Sequence, residues 1–390
     1  MSVVISGLGI VSALGVGVAE NLAVLRSSRD AIGAIRNFDT IHNVPAGELS
    51  LSNKELKRCL GLDERRTISR TSLLGLLAAK EAVQDAQITD TSNVAFISAT
   101  TVGGIDLTPT FYKEFMNDEN RGRLRFVAQH DCASSTEMIR NYCRLGGFST
   151  AISTACSSSA NAIIMGARLI QQGLAQTVVA GGTDALCAYT LNGFKSLMIL
   201  DSAKCRPFDA TRAGLNLGEA AAYVVLQKEE TAKQIHCRLA GYANANDAHH
   251  QTAMTEEGRG AEQAMRLAMQ KADIQPDKID YINAHGTGTP NNDASEAHAM
   301  NAIWHEKLPP FSSTKAFTGH TLAAAGSVEA VFSALAIENN LVWPNLNFSC
   351  PMDEIPLVPT TQLLEKEVNT VLSNSFGFGG NCTSLIFSAR

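Results

Sequence analysis

The sequence lacks the features that mark membrane, secreted and nucleic-acid-binding proteins. Its 390 residues contain no run of about 18 consecutive apolar residues, the length needed to cross a membrane. The segment Met1 to Ile5 has no cationic start of a signal peptide. The net charge of −6 argues against a basic nucleic-acid-binding surface. We therefore expect a cytoplasmic protein with no membrane span and no nucleic-acid partner.

The sequence also lacks closely spaced cysteines and phosphate-binding loops. No two of its nine cysteines stand at C-x-x-C spacing, so neither a disulfide framework nor a zinc site is indicated. No segment reads G-x-x-x-x-G-K-[ST], and "GLGIVSALG" is not G-x-G-x-x-G. We expect no metal and no cofactor, and we interpret most cysteines as buried apolar side chains.

What the sequence does contain is an alternation of short β-rich runs and alanine-rich amphipathic segments, which is typical of an α/β protein. The predicted strands span residues 3–6, 94–98, 177–180, 221–226, 281–283 and 384–387. The predicted helices span residues 72–86, 160–172, 260–272 and 327–338.

Two parts of the sequence resemble each other. "FSTAISTACSSSANAIIMGARLIQQG" and "PFSSTKAFTGHTLAAAGSVEAVFSALAIENN" each place a strand before a loop of small residues and an alanine-rich helix. "QTVVAGGTDAL" has a similar counterpart in "NTVLSNSFGFGG". This pattern predicts two related halves, residues 1–235 and 236–390, with a seam near residues 227–240. Chance similarity is the alternative.

Cys156 stands in an unusual context, "ISTACSSSANAII", where a predicted strand gives way to a helix. Free N–H groups and the macrodipole at a helix start favour a thiolate. Small neighbouring residues leave room for an acyl chain. Taken alone the pattern is weak, because a buried structural cysteine at a helix start is common.

Two histidines strengthen the case for a catalytic site. His285 follows the strand in "IDYINA" and opens "HGTGTPNND", whereas His320 closes "STKAFTGH" before another helix. Loops at the carboxyl ends of strands are the usual location of function in an α/β sheet. We expect both imidazoles to lie close to Cys156.

Taken together, these segments resemble the β-ketoacyl-acyl-carrier-protein synthases of the decarboxylating, elongating kind, in the thiolase-like superfamily. The resemblance spans essentially the whole chain. It is carried by "TACSSSANAI", "RPFDATRAGLNLGEAAA", "NDAHHQT", "HGTGTPNNDASE", "STKAFTGHTLAAAGSVEA" and "NSFGFGG". It implies a duplicated fold with five αβαβα layers, in which the first half carries the cysteine and the second carries the histidines.

The resemblance implies a role for each matching residue. Cys156 would be the nucleophile that accepts the acyl group, and His285 and His320 would bind the malonyl thioester carbonyl. Lys315 would be the family lysine and Glu329 its acidic partner, with a purely structural ion pair as the alternative. Two neutral imidazole N–H donors on an enolate are typically worth about 3–4 kcal/mol each.

Further positions are implied to contact substrate. The Phe378 N–H would complete an oxyanion hole with that of Cys156, and the Phe378 ring would gate the acyl pocket. Contacts to the phosphopantetheine arm or the acyl and malonyl groups are implied for Thr287, Thr289, Phe194, Phe376, His250 and Thr252. The other histidines, His42, His130, His236, His298 and His305, have no partner spacing and are interpreted as surface or core residues.

The implied function is decarboxylative condensation of an acyl group with malonyl-acyl-carrier protein in fatty-acid or related acyl-chain synthesis. Acyl-carrier protein is the implied partner, and the resemblance implies a homodimer paired through an edge strand near Val178. A carrier docking patch is weakly indicated at residues 56–66 or around Lys204 and Arg206.

Alternatives stay open at this point. A thiolase would need a second catalytic cysteine where "NSFGFGG" has Phe and Ser, and a non-catalytic chain-length partner would lack Cys156. Asn381 and Cys382 replace the usual Thr-Asn, and "LMILDSAKCRPFD" is short. These departures favour a specialised branch that makes polyenes or another polyketide-type product.

Overall fold

The computed structural model describes residues 2–390. Its strands are β1 (Val3–Ser12), β2 (Gly15–Val16), β3 (Ile32–Gly33), β4 (Ala46–Gly47), β5 (Ala95–Ala99), β6 (Ser149–Ile152), β7 (Thr177–Asp184), β8 (Ala220–Lys228), β9 (Cys237–Asn246), β10 (Tyr281–Asn283), β11 (Phe311–Ser312), β12 (Leu341–Val342), β13 (Leu364–Glu365), β14 (Thr370–Gly377) and β15 (Asn381–Ser388). Its α-helices are α1 (Val18–Arg26), α2 (Asn53–Cys59), α3 (Arg70–Asp85), α4 (Thr108–Asn117), α5 (Cys132–Tyr142), α6 (Ser158–Gln171), α7 (Ala188–Ser196), α8 (Arg259–Ala272), α9 (Pro290–Trp304), α10 (Lys315–Thr318) and α11 (Ala325–Asn339).

The main sheet consists of two halves with the same topology. In the first half the strands run in the order β1-β8-β7-β5-β6, and in the second β9-β15-β14-β10-β11. In each half the first two pairings are antiparallel and the last two are parallel. The repeated order agrees with the similarity between the two parts of the sequence.

The two halves meet where β1 pairs with β9 through only two residue pairs, Val4 with Arg238 and Ile5 with Cys237. The predicted boundary at residues 235 and 236 lies in the connection between β8 and β9. Its status as a domain boundary stays a prediction.

Helices complete a five-layer αβαβα arrangement, as expected from the resemblance. Helix α3 covers the first sheet on its outer side and α8 covers the second. Helices α6 and α11 lie between the sheets, with α11 packed against both β8 and β14. The segment Leu322–Asn339 is long and apolar enough to cross a membrane, but 89% of it is buried in this central layer. Its apolarity is therefore explained by core packing.

The predicted strands and helices are all present, with ends shifted by a few residues. The expected edge strand near Val178 is wrong. Val178 lies in β7, which is flanked by β5 and β8 and is fully buried at that position, whereas the free edge of the first half is β6. Consecutive apolar residues with no polar face mark a strand buried on both sides, which is an interior position.

Candidate active site

Cys156 lies on a tight turn between β6 and α6. Its neighbour Ala155 has a φ of 52°, in the left-handed region that costs a non-glycine residue free energy. The turn is closed by Ser158, whose hydroxyl accepts a hydrogen bond from the Thr154 N–H at 2.7 Å. This geometry places the thiol just before the N-terminus of α6, with only 6% of Cys156 exposed.

The surroundings of the Cys156 thiol act on its pKa in both directions. Burial raises the pKa of Cys156 to about 11, although Lys315 and the Phe378 N–H act in the opposite direction. Desolvation of the charged form outweighs these two favourable groups. Burial therefore adds to the cost of removing the proton from the sulfur.

The Phe378 N–H points at Cys156 from the turn between β14 and β15. A methyl group on Gly377 would lie only 2.8 Å from the Thr154 carbonyl oxygen and 3.2 Å from the Cys156 nitrogen. Only glycine allows β14 to approach the cysteine turn this closely. The backbone N–H groups of Cys156 and Phe378 are thereby held on adjacent segments, as an oxyanion hole requires.

Asn381 ties the far end of the same turn to the nucleophile. Its Oδ1 accepts hydrogen bonds from Ser157 Oγ at 2.8 Å, Asn161 Nδ2 at 3.1 Å and Asn244 Nδ2 at 2.8 Å. The sequence marked Asn381 as a departure without indicating these partners. Cys382 is fully buried in β15.

His285 is held by carboxylates of α9 that the sequence analysis missed. The backbone N–H groups of His285 and Gly286 donate to Glu296 at 2.9 and 2.8 Å, and Gly288 N–H donates to Asp293 at 3.2 Å. Burial raises the pKa of Glu296 to about 7. The only available signal was the spacing in "NDASE", which puts both acids on one face of a helix.

Lys315 fixes the tautomer of His285. Its Nζ lies 3.1 Å from His285 Nδ1 and 2.6 Å from the His285 carbonyl oxygen, and it is ion-paired with Glu329. An ammonium group can only donate, so Nδ1 accepts and the neutral ring carries its proton on Nε2.

His320 reaches the same state by a different contact. Its Nδ1 accepts the Leu322 N–H at 3.1 Å, which again leaves the proton on Nε2. Burial, followed by the charge of Lys315, holds the pKa of both imidazoles well below the usual value. The two rings lie 5.5 Å apart at an interplanar angle of 87°. The site thus contains two neutral histidines, each with an Nε2–H donor.

Two cavities meet at Cys156. The first, of about 350 Å³, brings Cys156 together with these predicted residues: His285, His320, Thr287, Thr289, Phe194, Phe376, Phe378 and Thr252. Lys315 and Glu329 lie behind His285 and do not line it. His250 is exposed and does not line it either; its Nδ1 accepts the Thr252 N–H at 3.2 Å.

The second cavity, of about 400 Å³, lies on the other side of Cys156 along α7. Phe194 and Phe378 line both cavities, and their rings stack at 6.1 Å. One side of the sulfur therefore faces polar donors, while the other faces an almost wholly apolar chamber. This arrangement suits a reaction in which an apolar group bound to the sulfur is attacked by a polar partner.

The two segments suggested as carrier docking patches, residues 56–66 and the surroundings of Lys204 and Arg206, lie in different places relative to the active site. Arg206 packs against the loop that carries Thr287 and Thr289, because a methyl group on Gly288 would lie 3.4 Å from the Arg206 backbone nitrogen. Its neighbour Lys204 pairs with Asp30 at 2.7 Å. Residues 56–66 line neither of the two cavities that meet at Cys156.

Two protein-family models match most of the chain. The model for the beta-ketoacyl synthase N-terminal domain matches residues 1–232, and that for the C-terminal domain matches residues 236–349.

Similar curated proteins cover the full length. The 3-oxoacyl-[acyl-carrier-protein] synthase 2 of Staphylococcus aureus (strain COL) is 32% identical, over 99% of this chain and 97% of that protein. The protein of the same name from Rhizobium meliloti (strain 1021) is 34% identical, over 98% of each.

Solved structures agree in fold. The ishigamide ketosynthase/chain length factor superposes with a TM-score of 0.94 at 28% identity, covering 100% of this chain and 99% of that one. The ketosynthase ApeO in complex with its chain length factor ApeC from Xenorhabdus doucetiae gives 0.88 at 32% identity, with 100% and 98% covered. The type II polyketide complex AntDE:AntF gives 0.88 at 25% identity, with 100% and 99% covered.

Proposed function

The chain belongs to the beta-ketoacyl synthase family and is a condensing enzyme, and from this premise we propose how its residues share the reaction. The overall reaction joins an acyl group to a malonyl group held on acyl-carrier protein, giving 3-oxoacyl-carrier protein and carbon dioxide. The observation that carries the assignment of roles is the pair of neutral histidines with Nε2–H donors beside Cys156.

In the first step the Cys156 sulfur attacks the acyl thioester. A new carbon–sulfur bond forms, the bond to the carrier sulfur breaks, and the thiol proton goes to the departing carrier thiol. The N–H groups of Cys156 and Phe378 stabilise the negative charge that develops on the carbonyl oxygen. Because burial raises the pKa of the thiol, removal of its proton contributes to the barrier.

In the second step malonyl-carrier protein occupies the first cavity and loses carbon dioxide. The electron pair of the broken carbon–carbon bond forms an enolate, whose oxygen receives the Nε2–H groups of His285 and His320. The enolate carbon then attacks the acyl carbon, and the Cys156 sulfur leaves as a thiolate with the electron pair of the broken bond. The thiolate takes up a proton from solvent, which restores the thiol. Hydroxyls of Thr287 and Thr289, 2.9 Å apart in the same cavity, hold the carrier's arm.

We also propose that the protein acts in the cytoplasm as a homodimer. The support is the free edge of β6, together with exposed apolar side chains on α4. Tyr112 is 56% exposed and Met116 is 63% exposed. Unpaired strand edges and apolar patches of this kind are usually covered in the working protein.

A second candidate is a condensing enzyme of a polyene or polyketide pathway that pairs with a chain-length partner. It is favoured by the high TM-scores against the ishigamide ketosynthase/chain length factor and the ApeO–ApeC complex. Copurification with a related subunit lacking the nucleophile, rather than self-association, would favour this candidate.

The proposed roles are tested with His285→Ala and His320→Ala. Both variants should lose decarboxylation of malonyl-carrier protein by about 100-fold or more, because the enolate loses a donor. Acyl transfer onto Cys156, followed by intact mass, should fall much less. His249→Ala is the matched control, since His249 is exposed and lines neither of the two cavities. Equal loss of both half-reactions would assign a histidine to proton removal from the thiol instead.

A further inference from the structure

Asp184, the last residue of β7, is a fully buried carboxylate that lines neither of the two cavities. Its Oδ1 accepts the Thr100 hydroxyl at 2.5 Å and the N–H groups of Thr101 and Val102 at 3.1 and 3.3 Å. Its Oδ2 accepts the Thr101 hydroxyl at 2.6 Å and the Ala323 N–H at 2.8 Å. A side chain of the first half therefore holds a turn of the second half.

The Ala323 N–H belongs to residues 321–323, the turn that orients His320. Leu322, directly before Ala323, has a φ of 53°, in the left-handed region that costs a non-glycine residue free energy. In this turn the Leu322 N–H donates to His320 Nδ1, and the next N–H, that of Ala323, donates to Asp184. The bond to Asp184 thus helps to offset the strain at Leu322 and keeps the neighbouring N–H aimed at the imidazole.

The end of β7 also packs directly against this turn. A methyl group on Gly182 would lie 3.0 Å from the Ala323 carbonyl oxygen and 3.0 Å from the Ala99 carbonyl oxygen. Glycine therefore allows the strand and the turn to approach with little room for adjustment. A shift of the Asp184 carboxylate should accordingly be passed on to the turn.

From these contacts we propose that Asp184 is a positioning residue for decarboxylation, which holds the turn of residues 321–323 so that His320 keeps its proton on Nε2. The inference rests on the proposed function, because it assumes that the Nε2–H of His320 donates to the enolate. Since Asp184 lines neither cavity, it acts through the turn and not on the substrate.

Asp184 acts on the thiol in the opposite sense. After burial, its charge is the next cause that raises the pKa of Cys156. Burial also raises the pKa of Asp184, while hydrogen bonds from Thr100, Thr101 and Ala323 act in the opposite direction. Loss of the carboxylate should therefore slow the enolate step while leaving acyl transfer onto Cys156 unchanged or faster.

The test is Asp184→Asn, which keeps the size of the side chain but has only one accepting oxygen. That oxygen should face the N–H groups of Thr101 and Val102, which turns the amide NH2 towards the Ala323 N–H. We expect kcat for decarboxylation of malonyl-carrier protein to fall about tenfold or more, with KM changed by less than about threefold. Acyl transfer onto Cys156, followed by intact mass, should not fall.

The tautomer of His320 is observed with nitrogen-15-labelled histidine, because the nitrogen-15 shift distinguishes a protonated ring nitrogen from an unprotonated one. The His320 resonances are identified by their absence in His320→Ala. The wild type should carry the proton on Nε2, whereas Asp184→Asn should carry part or all of it on Nδ1.

Thr100→Val is the matched control. It removes a hydrogen bond to Oδ1 of the same carboxylate, and the acceptor of the Gly103 N–H at 3.0 Å, but leaves the contact with Ala323 in place. Its decarboxylation rate should stay within about threefold of the wild type and its tautomer should not change. Asp184→Ser avoids opposing two donors and carries the same expectations as Asp184→Asn should the latter not fold.

The outcomes separate this inference from the proposed function. An unchanged His320 tautomer in the Asp184 variants would overturn the inference, as would equal loss of both half-reactions or an equal defect in Thr100→Val. A wild-type His320 with its proton on Nδ1 would overturn it without any variant. Decarboxylation that survives in His320→Ala would instead overturn the proposed function.

Discussion

The two halves use one strand–turn–helix unit for different chemistry. In the first half, β6 passes to α6 through residues 153–157, and this short connection leaves Cys156 at the helix start. In the second half, the connection from β11 to α11 spans residues 313–324 and contains both Lys315 and His320. The longer connection provides imidazole and ammonium groups where the shorter one provides a thiol. Neither half carries the complete set of catalytic groups.

The connection between the next two strands is instead longer in the first half than in the second. In the second half, β14 and β15 are joined by a turn of three residues, Phe378, Gly379 and Gly380, which brings the Phe378 N–H to Cys156. In the first half, the connection from β7 to β8 spans residues 185–219 and includes α7, which lines the apolar cavity. The comparison indicates that the two halves share the same sheet topology and that differences in the length of the connections determine which catalytic groups each half contributes.

The largest effect should come from removing the Cys156 thiol, the catalytic group that the first half supplies. Cys156→Gln should abolish condensation yet keep decarboxylation of malonyl-carrier protein, because both histidines remain. The amide also resembles the acylated sulfur, so decarboxylation without a primer should equal or exceed that of the wild type. Release of labelled carbon dioxide, measured beside product formation, checks both statements.

Two matched variants sharpen the result. Cys156→Ala removes the sulfur without imitating the acyl group and should decarboxylate less than Cys156→Gln. Cys382→Ala changes a buried cysteine of β15 that lines neither of the two cavities and should keep condensation. If Cys156→Gln still condensed and Cys382→Ala did not, the nucleophile would be Cys382 of the second half and not Cys156.

The next largest effect concerns the buried ion pair of the second half, Lys315 with Glu329. Lys315 and Glu329 are each 3% exposed in their side chains. Lys315→Met leaves Glu329 buried without its cation and should lower the free energy of unfolding by about 3–5 kcal/mol. The double variant Lys315→Met/Glu329→Leu should recover much of this loss, which a purely steric effect of the methionine would not allow. Urea unfolding of both variants measures it.

The same variants separate support from catalysis. After burial, the charge of Lys315 is the next cause of the low pKa of His285. In the double variant that pKa should rise towards its usual value, so the acidic limb of the decarboxylation profile should move to higher pH. An unchanged profile would limit Lys315 to a structural role.

Much of this arrangement could be predicted from the sequence because short motifs carried it. Cys156, His285 and His320 each follow a strand, and a parallel sheet brings such positions to one edge. The strand β14 was missed as an element, since Ser373, Asn374 and Ser375 remove the apolar pattern while lying buried. The burial that raises the pKa of the Cys156 thiol could not be predicted, because it depends on tertiary packing, which a local helix start does not reveal.

A smaller effect is expected at Asn381 of the second half, whose side chain contacts the turn that carries Cys156 in the first half. Asn381→Leu keeps the branched shape of the side chain, with a larger volume, but removes the acceptor for Ser157, Asn161 and Asn244. We expect a loss of up to about tenfold in condensation, since a typical hydrogen bond contributes about 0.5–1.5 kcal/mol. The loss is limited because each donor keeps another acceptor within the same cluster. Asn381→Asp retains the accepting oxygens and should restore most of the activity. Equal defects in both variants would show that the acceptor is not what positions the turn.

The smallest effect should appear at His236, which lies where the two halves of the chain meet. The sequence offered no partner for this residue, but its ring joins Asp85 of α3 at 2.7 Å and Glu338 of α11 at 2.6 Å. Burial alone would lower the pKa of His236, but the two carboxylates outweigh it and raise the pKa to about 9.

A pKa raised on folding means that the ion pairs stabilise the protein fully below the ordinary histidine pKa of about 6.5. This contribution is then lost as the pH rises through about 9. His236→Gln should therefore lower the free energy of unfolding by about 1–2 kcal/mol at pH 6. The value is modest because the Asp85 and Glu338 side chains are 34% and 33% exposed and are partly screened by solvent. The difference from wild type should shrink towards zero above pH 9, as measured by urea unfolding at fixed protein concentration. Asp85→Asn should show the same pH dependence because it removes one of the two charges that hold the imidazolium. A difference that does not change with pH would mean that the ring joins the two copies by packing and neutral hydrogen bonds, without a net charge.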